Sequence, residues 1–117
     1  SVPSHTALMA AAAQTLAARI AALAWQPPRV PVVHNVDAQV HADVAALQDA
    51  LVRQLHQPVR WTDCVQALAA AGVRRIAECG PGKILAGLVK RIDKALDVRA
   101  LGAPADFDTA LAEWKQQ

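Results

Sequence analysis

Val73-Arg74-Arg75-Ile76-Ala77-Glu78-Cys79-Gly80-Pro81-Gly82-Lys83-Ile84-Leu85 reads as a strand, a tight turn and the start of a helix. Val73 to Cys79 is short and carries β-branched residues, which suits a pleated strand. Gly80-Pro81-Gly82-Lys83 punctuates it, because glycine takes backbone angles closed to other residues and proline cannot continue a ladder. Beyond the turn, Ile84, Leu85, Leu88, Ile92 and Leu96 recur at helical spacing and predict a helix over 84–96 with those residues facing inward. Val98 to Leu101 then offers a last short strand, and Asp106 a cap for a closing helix through Trp114. Strand, helix, strand in such close succession predicts an α/β domain with a mainly parallel sheet.

The upstream sequence extends the same pattern. Thr6 to Trp25 carries Leu8, Met9, Leu16, Ile20 and Leu23 at helical spacing among alanines, and the helix must stop before Pro27-Pro28. Ser4 and Thr6 each offer a capping oxygen. Pro31 to Val36 is mostly apolar and β-branched, which predicts a strand buried on both faces. Asp37 to His41 is a turn or a short second strand. Asp43 opens the next helix as its N-cap, with Val44, Leu47, Leu51 and Leu55 on one face, ending near His56-Gln57-Pro58. Trp61 to Ala71 is a further helix, with Thr62 as its N-cap and Gly72 stopping it. The strands are few for so many helices, which suggests that part of the fold lies outside the chain.

Composition narrows the function. The chain has 117 residues, of which 54% are hydrophobic and only 3% aromatic. That is ample for a core and poor in the stacking surfaces used for single-stranded nucleic acid. A net charge of +2 with scattered basic pairs lacks the basic stripe of a nucleic-acid footprint. No apolar run reaches the length of a bilayer span, so neither nucleic acid nor a membrane is an expected partner. Cys64 and Cys79 lack metal spacing and read as small core residues of a reducing compartment, which points to a cytoplasmic protein. No metal is expected.

The residues that can do chemistry are few. His5 stands where an extended approach, stiffened by Pro3, becomes a helix, a position that suits a base and equally a structural cap. Ser1 and Ser4 are the only serines, and neither lies in a strand–turn–helix elbow. Gln54, His56 and Gln57 form a polar end to the second helix, and His34 and His41 have no partner at metal spacing. The glycine turn matches neither a Walker loop nor a dinucleotide fingerprint, although the helix start behind it could take an anion and Lys83 a phosphate. The residues alone therefore supply a candidate base and no nucleophile.

Four stretches taken together resemble a known family. They are Val2-Pro3-Ser4-His5; Pro31-Val32-Val33-His34-Asn35-Val36-Asp37; Leu51-Val52-Arg53-Gln54-Leu55 with Pro58-Val59-Arg60-Trp61; and Glu78-Cys79-Gly80-Pro81-Gly82-Lys83-Ile84-Leu85. Their order and spacing are similar to the C-terminal part of bacterial malonyl-CoA:acyl carrier protein transacylases. The resemblance implies a partial three-layer, α/β-hydrolase-like large subdomain over 1–117, with residues 1–5 leaving a ferredoxin-like small subdomain that is not in the chain. It implies His5 as the histidine that takes a proton from a serine nucleophile, and Gln54 as the residue whose main-chain carbonyl orients that imidazole. Ser4 and Ile84 would line the substrate or pantetheine channel.

The family's elbow serine, its malonyl-gripping arginine and its oxyanion hole lie upstream, so the resemblance implies that the chain alone is inactive. Malonyl-CoA would be a substrate, with no resident cofactor. The other partners implied are acyl carrier protein and the missing N-terminal half of the same enzyme, in fatty acid biosynthesis. His34 departs from the small polar residue or asparagine more usual there and reads as a packed strand histidine. An acyltransferase piece of a polyketide synthase and a non-catalytic module that binds carrier protein or a partner through an open sheet edge are the competing readings.

Overall fold

The structure, a computed structural model, describes residues 3–115; Ser1 and Val2 of the first motif lie outside the described residues, as do 116 and 117. The chain divides into two compact units, 1–67 and 68–117.

In the first unit, a short 3-10 turn (Ala7–Met9) leads into α1 (Ala10–Ala21). The continuous helix expected to Trp25 therefore starts later and stops earlier. Thr6 precedes the turn without a side-chain cap, because its hydroxyl donates to the Pro3 carbonyl instead (2.7 Å). α1 buries Ala13 and Ile20 and packs on α2 (Val44–Arg53), which buries Leu47 and Ala50. Small residues on both helices allow that close approach. Asp43 is the N-cap of α2 and accepts from the Ala46 N–H at 2.9 Å, an interaction of about 1 kcal/mol.

Pro31 to Val36 is not the buried parallel strand its composition suggests. It contributes a single antiparallel bridge, Val33 to Val40. Val32 is exposed, while His34 and Val36 are buried. A parallel strand needs partners along its edges, and among the described residues this segment finds only its own return. Instead it turns back on itself: Ala38 N–H donates to the His34 carbonyl (2.8 Å) and His34 N–H to that of Gln39 (2.9 Å), with Ala38 at φ 59°. α3 (Trp61–Ala70) starts at Trp61, so Thr62 lies inside its first turn and does not cap it.

The second unit is a βαβα arrangement. β1 (Arg75–Cys79) and β2 (Asp97–Leu101) are parallel, in a register running from Arg75 opposite Asp97 to Cys79 opposite Leu101. Among the described residues they form the whole sheet. α4 (Ile84–Ile92) joins them and α5 (Pro104–Lys115) follows, both packed on β2. The core here is Val89, Leu96, Val98, Leu101 and Ala110. α4 ends at Ile92, and it turns Val89 inward, whereas Ile84, Leu85 and Leu88 are exposed. Periodicity located the apolar stripe but not which edge of it the packing would use. Cys79, expected in the core, is exposed.

Gly80 and Gly82 occupy φ +131° and +113°, a region that only glycine enters without strain. This lets the chain reverse between β1 and α4. The N-terminus of α4 is filled from within: the Glu78 carboxylate on β1 accepts from the Leu85 N–H (3.1 Å) and the Ala86 N–H (2.7 Å). That occupies the amides which could otherwise have met an anion. Asp106 also works differently from expected. It is inside α5 and its carboxylate reaches back to the N–H groups of Gly102 (3.0 Å) and Ala103 (2.8 Å), the reciprocal half of a capping box.

Candidate active site

The site lies in the first unit, where His5 meets the end of α2. The final turn of α2 winds inward: Gln54 N–H donates to the Ala50 carbonyl (3.0 Å), while His56 and Gln57 N–H both donate to that of Arg53 (3.1 and 3.0 Å). A helix end leaves its last carbonyls without helical partners. Here His5 takes two of them. Its ring Nδ1 lies 2.6 Å from the Gln54 carbonyl oxygen, and its main-chain N–H donates to the Leu55 carbonyl at 2.9 Å. His5 thus binds across 49 residues of sequence to consecutive carbonyls.

That geometry sets the tautomer. A carbonyl oxygen only accepts, so Nδ1 must carry the hydrogen, and in the neutral ring Nε2 keeps its lone pair. The ring is half-buried, held at an angle fixed by the backbone of α2. His5 itself sits at φ 61°. For a residue with a side chain this left-handed conformation costs about 1–3 kcal/mol, which the two hydrogen bonds to α2 offset.

Behind the site is a charged network. The Arg53 guanidinium donates to Asp49 one turn earlier on α2 and to Asp37 at 2.8 Å; Asp37 also accepts from His41 Nε2 (3.1 Å) and the Gln39 N–H (3.1 Å). Burial raises the affinity of Asp37 for a proton, but the Arg53 hydrogen bond and those of Gln39 and His41 outweigh it and hold its carboxyl below the usual 3.8. Arg53 is held further into its charged form by the same carboxylates. His34 is buried, with its ring centroid 5.2 Å from that of His41. Burial first, and the neighbouring His41 second, push its pKa below 6.5, which favours the neutral ring. Cys64 is also buried; burial and Asp63 push its thiol up, and its Sγ donates to the His34 carbonyl (3.6 Å). It is an inert packed thiol.

Of the four residues singled out from sequence, the structure brings His5 and Gln54 together. Ser4, next to His5 in the chain, is exposed. Ile84 belongs to the second unit, where it opens α4 and is 75% exposed. Sequence reasoning missed Leu55 and the Arg53–Asp37 pair; a main-chain acceptor leaves no trace in residue type, and the ion pair joins positions 16 apart. Among the described residues no cluster of His, Cys, Asp or Glu is placed to hold a metal ion.

No family model matches the chain. Single relatives do. The malonyl CoA-acyl carrier protein transacylase of Salmonella typhimurium is 51% identical over 113 residues, which cover 97% of this chain and 37% of that protein. The chain belongs to the malonyl CoA-acyl carrier protein transacylase family. The crystal structure of the transacylase from Xanthomonas oryzae pv. oryzae matches at 60% identity and a TM-score of 0.92, over 97% of this chain and 36% of that one. A malonyl-transacylase solved in complex with a type II PKS acyl-carrier protein matches at 44% identity and a TM-score of 0.91, over 97% of this chain and 37% of that one. The chain therefore spans little more than a third of the length of the transacylases it matches, and it corresponds to their C-terminal part.

Proposed function

We propose that this chain is the base-bearing portion of an acyltransferase that moves malonyl from CoA to the phosphopantetheine thiol of an acyl carrier protein. The observation that carries the reading is the 2.6 Å contact between His5 Nδ1 and the Gln54 carbonyl. It leaves Nε2 as a base of fixed direction without any carboxylate partner. A serine hydroxyl from the remainder of the enzyme attacks the malonyl thioester, and Nε2 takes its proton. The imidazolium, its Nδ1–H still bonded to the Gln54 carbonyl, gives that proton to the departing CoA sulfur. The carrier thiol then attacks the malonyl-serine ester, again losing its proton to Nε2, which returns it to the serine oxygen.

In this reading the 117 residues are the later part of an α/β-hydrolase-like subdomain, residues 1–5 lead out of a ferredoxin-like small one, and Ser4, next to His5 in the chain, borders the substrate channel. The chain alone has no nucleophile and transfers nothing. The relative bound to a polyketide carrier protein is compatible with a fatty-acid or a polyketide carrier as acceptor, and we assign fatty acid biosynthesis in the cytoplasm.

The experiment uses the complete enzyme that contains this chain and follows malonyl transfer to holo-carrier protein. His5→Ala is expected to reduce kcat by about 10³-fold or more. Gln54→Ala, which keeps the main-chain carbonyl, is expected to stay within about tenfold of the parent, below the roughly 10²-fold that a misplaced catalytic contact costs. Equal losses in both variants would contradict the main-chain assignment.

A further inference from the structure

The two carbonyls that grip His5 can work only if the end of α2 is held still. Arg53 is the last residue of α2, immediately before Gln54 and Leu55. Its guanidinium reaches Asp49 on the same helix and Asp37 on the loop that follows His34. Asp37 is in turn fixed by the Gln39 N–H and by His41. The loop itself is anchored: the Asn35 carbonyl accepts from the Arg60 N–H (2.7 Å) and the His34 carbonyl from Cys64 Sγ. An isolated exposed ion pair contributes little. This one differs, since Arg53 and Asp37 are only 28% and 19% exposed and each makes more than one contact.

We propose that Arg53, through Asp37, is a positioning residue for His5: it ties the last turn of α2 to the 34–41 loop and so aims the Gln54 and Leu55 carbonyls at the ring and the main chain of His5. The inference rests on the acyl-transfer reading of His5. The bland alternative is a salt bridge that only stabilises the unit. A shift of about 1 Å at the end of α2 would lengthen both His5 bonds together, and misplacement on that scale costs about 10²-fold in rate.

The test uses the complete enzyme with Arg53→Ala, Arg53→Lys and Asp37→Asn, and reads two quantities. The first is steady-state malonyl transfer. The second, independent of activity, is exchange of the His5 main-chain amide, followed by NMR with selectively ¹⁵N-labelled histidine and assigned by the signal lost in His5→Ala. Arg53→Ala is expected to lower kcat by about 10- to 100-fold, with KM for malonyl-CoA within about twofold, and to speed His5 amide exchange about tenfold or more. Arg53→Lys, which retains one arm, recovers part of both. If Arg53→Ala does not fold, Asp37→Asn, which leaves Arg53 bonded to Asp49, must move both readouts in the same direction. A variant that melts earlier but keeps parental kcat and His5 exchange would overturn the proposal. His5→Ala is run alongside: if it retains transfer, the base reading falls, while the amide exchange in Arg53→Ala still decides the positioning claim by itself.

Discussion

Replacing Glu78 by alanine tests how the strand–turn–helix unit is held. Glu78 on β1 accepts from two N–H groups in the first turn of α4. Losing a side-chain acceptor at a helix start costs about 1 kcal/mol, and losing a negative charge there costs about 0.3–1 kcal/mol more. The sum, about 1.3–2 kcal/mol, corresponds to roughly 10- to 30-fold in a local opening equilibrium. Global melting is a poor assay for this, because a chain of two compact units need not unfold in one step. Residue-resolved hydrogen exchange is suitable, as it reports opening of the α4 N-terminus directly. In Glu78→Ala the Leu85 and Ala86 amides are expected to exchange about 10- to 30-fold faster, with α2 amides unchanged. Glu78→Gln, which keeps an acceptor and loses the charge, falls between. Unchanged exchange at Leu85 and Ala86 in Glu78→Ala would refute the capping account.

Acid lability follows from His34 and Asp37. His34 has a lowered pKa in the folded state, so below 6.5 the unfolded chain binds more protons than the folded one, and stability declines as pH falls through that value. Asp37 is also lowered, so its contribution is present above 3.8 and is lost as pH falls below it. Denaturant midpoints across pH 4–8 should therefore decline in acid from about pH 6.5, and His34→Gln should flatten that upper decline. Cys64 should resist alkylation by iodoacetamide until the protein unfolds, since it is buried with its thiolate disfavoured; labelling of the native protein would contradict its packing. Gly82→Ala, at φ +113° with no atom near the added Cβ, should destabilise through backbone strain alone, by about 1–3 kcal/mol in chemical denaturation.

The alternation of β1, α4, β2 and α5 was legible because each signal is local: a short β-branched run, glycines at a reversal, an apolar stripe. Asp43 as an N-cap was legible for the same reason. Pro31 to Val36 was misread because composition describes a residue's taste for burial and not its strand partners; His34 and Val36 are buried in a reversing loop. Glu78 escaped because its partners were set by folding geometry, seven and eight residues ahead; Asp106 was expected to cap the closing helix and does so from inside it, through the N–H groups three and four residues back. The candidate base was legible from its position, which suited a structural cap equally, and only the motif resemblance gave it a task. Its orienter is a carbonyl that every residue possesses, so nothing in the identity of Gln54 or Leu55 announces it. The stiff approach of Pro3 to His5 suggested fixed geometry; the left-handed φ of His5 supplies a more specific reason.

The central claim is that a main-chain carbonyl at the end of α2 holds His5 as a base with a free Nε2. The tautomer of that ring tests it most directly, read in the complete enzyme by long-range ¹H–¹⁵N NMR of labelled histidine. The account predicts one hydrogen-bonded Nδ1–H species for His5, with Nε2 unprotonated. An Nε2–H tautomer, or a rapidly averaging mixture with no hydrogen-bonded Nδ1–H, would contradict it.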